Sequence, residues 1–186
     1  MISKNLYYSQ ERTVNPLYFD GKVKIREVFN EGNSSDQEVY FVEFSDGSLT
    51  TVHYHETEQI LIPLYGNGIV GQFNLSSSTS LTELQWEDYK LKDLRVGDIV
   101  IIPSHVLHFH GALAGQNFSH VAIRKLYNSS DIPASDENRK SQTKWAYDMI
   151  AQESNSEDEL SVAEKVSLVS RKVRDIISQT KKENLF

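Results

Sequence analysis

Apolar and polar residues alternate in short runs over the first two thirds of the chain, then repeat at a helical period towards its end. KVKIREVF (22–29) places Val23 and Ile25 on one face, as a half-buried strand requires. EVYFVEF (38–44), LTTVHYH (49–55), QILIPLY (59–65), IVGQFNL (69–75), IVIIP (99–103), VLHFHGA (106–112) and FSHVAIRKL (118–126) read as further strands, with LQW and YKLKDL weaker. Turn signals separate them: Asp20-Gly21, residues 30–37, Asp46-Gly47, a hairpin-closing GNG at 66–68, the polar loop 76–83 and residues 95–98. The pattern predicts about nine or ten short strands in an all-β sandwich or barrel, with no βαβ alternation. Residues 1–15, polar with scattered aromatics, read as an arm on a neighbour or a loose end.

Near residue 128 the composition changes. NSSDIPASDEN reads as a linker, and 137–152 as a helix with Trp145 and Met149 four apart on one face. Ser156 and Glu159 have the spacing of a capping box. Val162, Val166, Val169, Val173 and Ile176 then form one stripe along a helix of roughly six turns, with Lys181 and Lys182 suited to its C-terminal end. The stripe packs on its own barrel or preceding helix, or makes a dimer contact. The domain reading is a barrel with an N-terminal arm over 1–128, and a linker with a helical extension over 129–186.

Composition narrows the chemistry. The 186 residues include no cysteine, which excludes disulfide scaffolds, thiolate metal sites and cysteine nucleophiles, and suits a reducing cytosol. A net charge of −7 without a basic block argues against nucleic acid or an anionic membrane as partner. With no apolar h-region at the N-terminus and no membrane-length apolar run, the expectation is a cytoplasmic protein.

All six histidines lie between residues 53 and 120. Side chains alternate along a strand, so His53 and His55 share a face, as do His108 and His110, and as do His120, Ala122 and Arg124. The short link Glu56–Glu58 sets Gln59 beside the first pair. Imidazole nitrogens with an amide oxygen suit a divalent first-row metal: Mn, Fe, Ni, Co or Zn. His120, with an ordinary pKa near ~6.5, is the leading general base, and His110 a hydrogen-bond donor to substrate or a residue orienting a ligand. Arg124 is a candidate carboxylate binder near a strand end, weighed against simple surface exposure; His105 reads as a rim residue.

Two stretches resemble the two motifs of the cupin superfamily. The first is Gly47, five residues, His53-x-His55, three residues, Gln59 in the usual glutamate position, six residues, Gly66. The second is Gly97, five residues, Pro103, one residue, His105 in the usual glycine position, two residues, His108. HFHGALAGQNFSHVAI (108–123) further resembles the cupin group of carboxymuconolactone-decarboxylase-like proteins and cupin-type hydroxynitrile lyases. Glu56 departs from the proline often found there, and the connection from Asn67 to Val96 is long.

The resemblance spans residues 16–126. It implies a jelly-roll β-barrel, one divalent metal on His53, His55, Gln59 and His108, and His120 as acid/base. The implied activity is that of a metal-dependent lyase or decarboxylase-like enzyme on a small oxygenated or carboxylate substrate. An Fe(II)-dependent dioxygenase and a non-catalytic small-molecule-binding module are the alternatives. A homo-oligomer, dimer or larger, is the expected assembly.

Overall fold

A computed structural model describes residues 1–73, 80–83, 89–126, 143–155 and 158–183. The strands are β1 (Gln10–Arg12), β2 (Phe19–Asp20), β3 (Val23–Phe29), β4 (Gln37–Phe44), β5 (Leu49–Thr50), β6 (His53–His55), β7 (Gln59–Phe73), β8 (Tyr89–Arg95), β9 (Val100–Ile102), β10 (Leu107–Ala112), β11 (Phe118–Lys125) and β12 (Thr143–Trp145). Helices α1 (Ala146–Glu153) and α2 (Val162–Glu183) follow.

All the pairings are antiparallel, and they build the two curved sheets of the expected jelly roll. One runs β1-β3-β4-β11-β7-β9. In the other, β7 lies between β8 and β10, and β10 in turn pairs with β5 and with β6. β2 extends β5, and β12 extends β6.

β7 belongs to both sheets, which corrects the hairpin expected at residues 66–68. Its first half pairs with β11 and β9, its second with β8 and β10. Gly66 has φ +73°, and a Cβ there would lie 1.9 Å from the Asn117 carbonyl oxygen. A Cβ on Gly68 would strike the Phe118 ring at 2.7 Å. The glycines therefore let one strand turn from sheet to sheet under a close backbone crossing, instead of reversing the chain. The run 49–55 is likewise two strands, β5 and β6, because Thr51 and Val52 leave the ladder between them. LQW lies outside the described residues, and YKLKDL is β8.

The arm packs on its own barrel. β1 pairs with β3, and the Tyr7 ring meets Phe41 edge-on at 5.2 Å.

The extension contributes to the barrel as well as to the helices. Residues 143–145, expected in a helix, are β12: Thr143 pairs with His55 and Trp145 with His53. The ladder holds these three residues extended, so the helix starts at Ala146, whose N–H bonds the Val52 carbonyl at 2.8 Å. The linker 128–138, residues 137–142 of the expected helix and Ser156 of the expected capping box lie outside the described residues. The box that is seen uses Ser161 and Glu164: Ser161 N–H donates to Glu164 Oε2 at 2.8 Å, and Glu164 N–H to Ser161 Oγ at 3.3 Å.

Val166, Val169, Val173 and Ile176 are buried in one cluster with Leu49, Val52, Ile69, Phe73, Leu107 and Phe109. The helical stripe thus covers the face of the second sheet that points away from His108 and His110, and Ala146 and Ile150 of α1 join the same cluster, so the barrel and the preceding helix both pack against it. Val169 is 1% exposed, whereas Leu168 is 37% exposed. Val169→Glu is expected to cost about 3 kcal/mol or more, since it buries a carboxylate among hydrocarbon, while Leu168→Glu stays within about 0.5 kcal/mol. Urea midpoints decide it, and equal midpoints would place the stripe outside the core. Among the described residues, no helix is long and apolar enough to cross a membrane.

Candidate metal centre

Inside the barrel, Leu61, Val70, Leu94, Ile102, Ala112 and Phe118 form an apolar cluster with Tyr40, Val42, Phe44 and Ala122. Next to it the inward positions turn polar. His53 and His55 come from β6, Gln59 from the start of β7, His108 and His110 from β10, and His120 from β11. All six are buried, His108 and His120 completely. The pairing of His108 with His53 brings the two histidine pairs together, as strand alternation predicts. Ring centroids lie 4.1 Å apart for His53–His108, 4.9 Å for His53–His55 and 5.1 Å for His55–His108. His105 stands outside, exposed in a turn with φ 60°, as expected of a rim residue.

Hydrogen bonds select the tautomers. His53 Nδ1 lies 2.8 Å from the Thr51 carbonyl oxygen, and His108 Nδ1 2.8 Å from that of Val106. A carbonyl only accepts, so each Nδ1 carries the proton and each Nε2 keeps its lone pair. His55 Nδ1 lies 3.0 Å from Thr143 Oγ1 and 2.8 Å from Arg124 Nη1, and Arg124 also donates to Thr143 Oγ1 at 2.5 Å. A guanidinium only donates. The Arg124 contact therefore favours a lone pair on His55 Nδ1, whereas Thr143 Oγ1 is the acceptor for the other tautomer, in which Nδ1 carries the proton and Nε2 is free to act as a ligand.

Among the described residues, five buried side-chain atoms have no hydrogen-bond partner: Arg124 Nε, His120 Nδ1 and, from the motif residues, His55 Nε2, His108 Nε2 and Gln59 Oε1. Buried polar atoms are normally paired, and the last three belong to three of the four residues that the motifs select. Those three fit a metal ion. Ring nitrogens of His53, His108 and His110 also lie within 4.8 Å of one another, so His110, placed by the sequence on the acid/base side, reaches the same centre. His120 Nε2 lies 3.2 Å from His110 Nδ1.

Burial is the first cause that lowers the pKa of every one of these imidazoles. It brings His108 and His120 to about 4. His53, His55 and His110 also fall well below the ordinary value, helped by His108, Arg124 and His120 respectively. All five are neutral at pH 7, the state in which an imidazole can ligate a metal. The ordinary pKa near ~6.5 expected for His120 is thus replaced by a much lower one.

Arg124 is another correction. It is 8% exposed, donates to Glu38 Oε2 at 2.8 Å and lies 5.4 Å over the Tyr40 ring. Its side chain shares the inward face with His120, and Glu38 on β4 neutralises it. Tyr40 O–H donates to Glu38 Oε1 at 3.2 Å, and burial, then the Glu38 charge, pushes the phenol up to about 12. Sequence reasoning missed Glu38, Thr143 and Trp145. The Trp145 ring stacks between His53 at 4.4 Å and Tyr18 at 4.7 Å. Their one local signal is the period of two that sets Thr143 and Trp145 on a common face.

The histidines open into a cavity of about 310 Å³, walled by Tyr18, Phe19, Ile25, Tyr40, Val42 and Trp145, with Arg12 on its lining. A two-sheet barrel with imidazoles converging on an interior cavity is a scaffold suited to a protein-held metal ion. Residues 9–148 match the family model described as Cupin, and the chain belongs to the cupin family. None of the curated proteins matches it. Among solved structures, a cupin-like protein from Thermotoga maritima is 25% identical, with a TM-score of 0.50 over 74% of this chain and 84% of that one. The oxalate decarboxylase of Lactobacillus farciminis, in its formate complex, is 17% identical, with a TM-score of 0.54 over 81% of this chain and 38% of that one. The polyketide cyclase RemF from Streptomyces resistomycificus is 15% identical, with a TM-score of 0.52 over 67% and 79%. The last two likenesses show the fold alone.

Proposed function

We propose that the barrel holds one divalent first-row transition metal on His53, His55, Gln59 and His108, and acts as a lyase or decarboxylase-like enzyme on a small oxygenated or carboxylate substrate. The observation that carries this reading is the set of unpartnered acceptors, His55 Nε2, His108 Nε2 and Gln59 Oε1, beside a cavity of about 310 Å³. The activity follows the cupin group that the sequence resembles, in which three histidines and a glutamine hold the metal. Such an ion supplies a Lewis acid of charge near +2, because all four ligands are neutral.

The chain's own residues do the rest. Thr51, Val106 and Thr143 fix ring orientation through the Nδ1 hydrogen bonds. His120 is neutral at pH 7 and takes a proton, and His110, 3.2 Å away, offers it a second site. Tyr18, Phe19 and Trp145 keep bulk water from the reacting end.

Elemental analysis of untagged protein prepared without chelator tests the ligand set. Wild type is expected to carry about one metal per chain, and His108→Ala less than about a tenth of that. Gln59→Ala should fall between, and His120→Ala should keep the metal. Loss of metal in His110→Ala with retention in His55→Ala would move the site to His53, His108 and His110. A wild-type chain that takes up no metal on reconstitution overturns the reading.

A further inference from the structure

Two arginines line the cavity, and they differ in one respect. Arg124 is buried and its charge is already balanced: Glu38 pairs with Nη2 and Thr143 Oγ1 accepts from Nη1, so that only Nε is left without a partner. Arg12 sits at the mouth, on β1, where the arm crosses the opening. It is exposed, and among the described residues no carboxylate pairs with it. Its neighbour Glu11 reaches Arg26 at 3.9 Å, Glu43 also pairs with Arg26, and Glu27 accepts from Asn30. Tyr40, on the cavity wall, feels the Arg12 charge.

The electrostatic balance of the cavity follows. Its lining holds two arginines, one glutamate and neutral histidines, which leaves one positive charge without any metal. The chain as a whole carries −7. A positive cavity in an anionic protein draws small anions to its mouth. Water solvates the Arg12 guanidinium while the mouth is open, and a ligand that displaces this water must replace its hydrogen bonds. A carboxylate does so best, since its two oxygens match the guanidinium fork.

We propose that Arg12 is a specificity-determining residue that receives a carboxylate of the substrate at the cavity mouth, while the reacting end lies among the histidines. The substrate class is then a small acid whose carboxylate is separate from its reacting group. The assignment of the reacting end rests on the proposed metal centre; the role of Arg12 rests on its place and its lack of a partner.

The test is calorimetric titration of wild type, Arg12→Ala and Arg12→Lys with oxalate, malonate, succinate and glutarate, and with the monoamide of each. Each protein is used metal-loaded and metal-free, with metal content measured on the same samples. At least one diacid is expected to bind wild type and to lose about tenfold or more in Arg12→Ala, with part restored in Arg12→Lys. The matching monoamides, which have one carboxylate for two sites, are expected to change less. Equal diacid affinities in wild type and Arg12→Ala, or no diacid binding to wild type in either form, overturn the proposal. An Arg12-dependent diacid affinity in protein that takes up no metal would uphold Arg12 while the metal reading fails.

Discussion

Glu38→Ala is expected to cost about 3–5 kcal/mol of unfolding free energy, the range for removing one partner of a buried ion pair. Glu38 and Arg124 are 9% and 8% exposed, and their contact is 2.8 Å. Without Glu38 the guanidinium stays in the barrel interior with its charge unbalanced, and Tyr40 O–H loses its acceptor. The double variant Glu38→Leu/Arg124→Met is expected to recover most of the loss, because it removes both desolvated charges together. Urea denaturation of the two variants and wild type provides the numbers. A wild-type midpoint in Glu38→Ala would mean that water reaches Arg124. Metal affinity should fall as well. A guanidinium freed from Glu38 donates more strongly to His55 Nδ1, 2.8 Å away, and the tautomer with the proton on Nε2 cannot ligate. Competition with a chromogenic chelator is expected to show a loss of about tenfold or more in Glu38→Ala.

The same contacts show what local sequence can and cannot reveal. His53 with His55, and His108 with His110, are legible because a period of two needs no knowledge of the partner strand. The burial of the α2 stripe is legible for the same reason at a helical period. Arg124 shares its face with His120, which was equally readable; that the face is deep inside depends on Glu38, 86 residues earlier in the chain. Trp145 reads as helical because Met149 stands four residues on, yet the backbone bonds that β6 offers at 53–55 hold it in a strand. Gly66 and Gly68 read as a hairpin because glycine signals freedom of φ without saying how it is used. Here it serves a bend under Asn117 and Phe118. Each miss is a pairing between distant segments, and each success is a periodicity within one.

Metal-free protein is expected to lose several kcal/mol of stability as pH falls from about 6.5 to about 4. Burial holds the native pKa of His53, His55, His108, His110 and His120 below the ordinary value, at about 4 for His108 and His120. In the unfolded chain these rings return to about 6.5. Between the two values the unfolded state binds more protons than the native state, so stability rises with pH across that window. The contribution is complete above pH 6.5 and is lost as pH falls towards 4. A ring moved from about 6.5 to about 4 accounts for roughly 3 kcal/mol at most, and domains of this kind have about 5–15 kcal/mol in all. Cooperative unfolding between pH 6 and 4, followed by circular dichroism, is therefore the expected result. His120→Gln should reduce the slope by about one proton, since it removes one titrating ring from the unfolded state. Saturating Zn²⁺ should move the transition to lower pH, because the ion binds the neutral rings of the native state and competes with protons. A stability flat from pH 6.5 to 4 would show that the five rings titrate alike in both states. It would also remove the desolvation that keeps their lone pairs free for a metal at neutral pH.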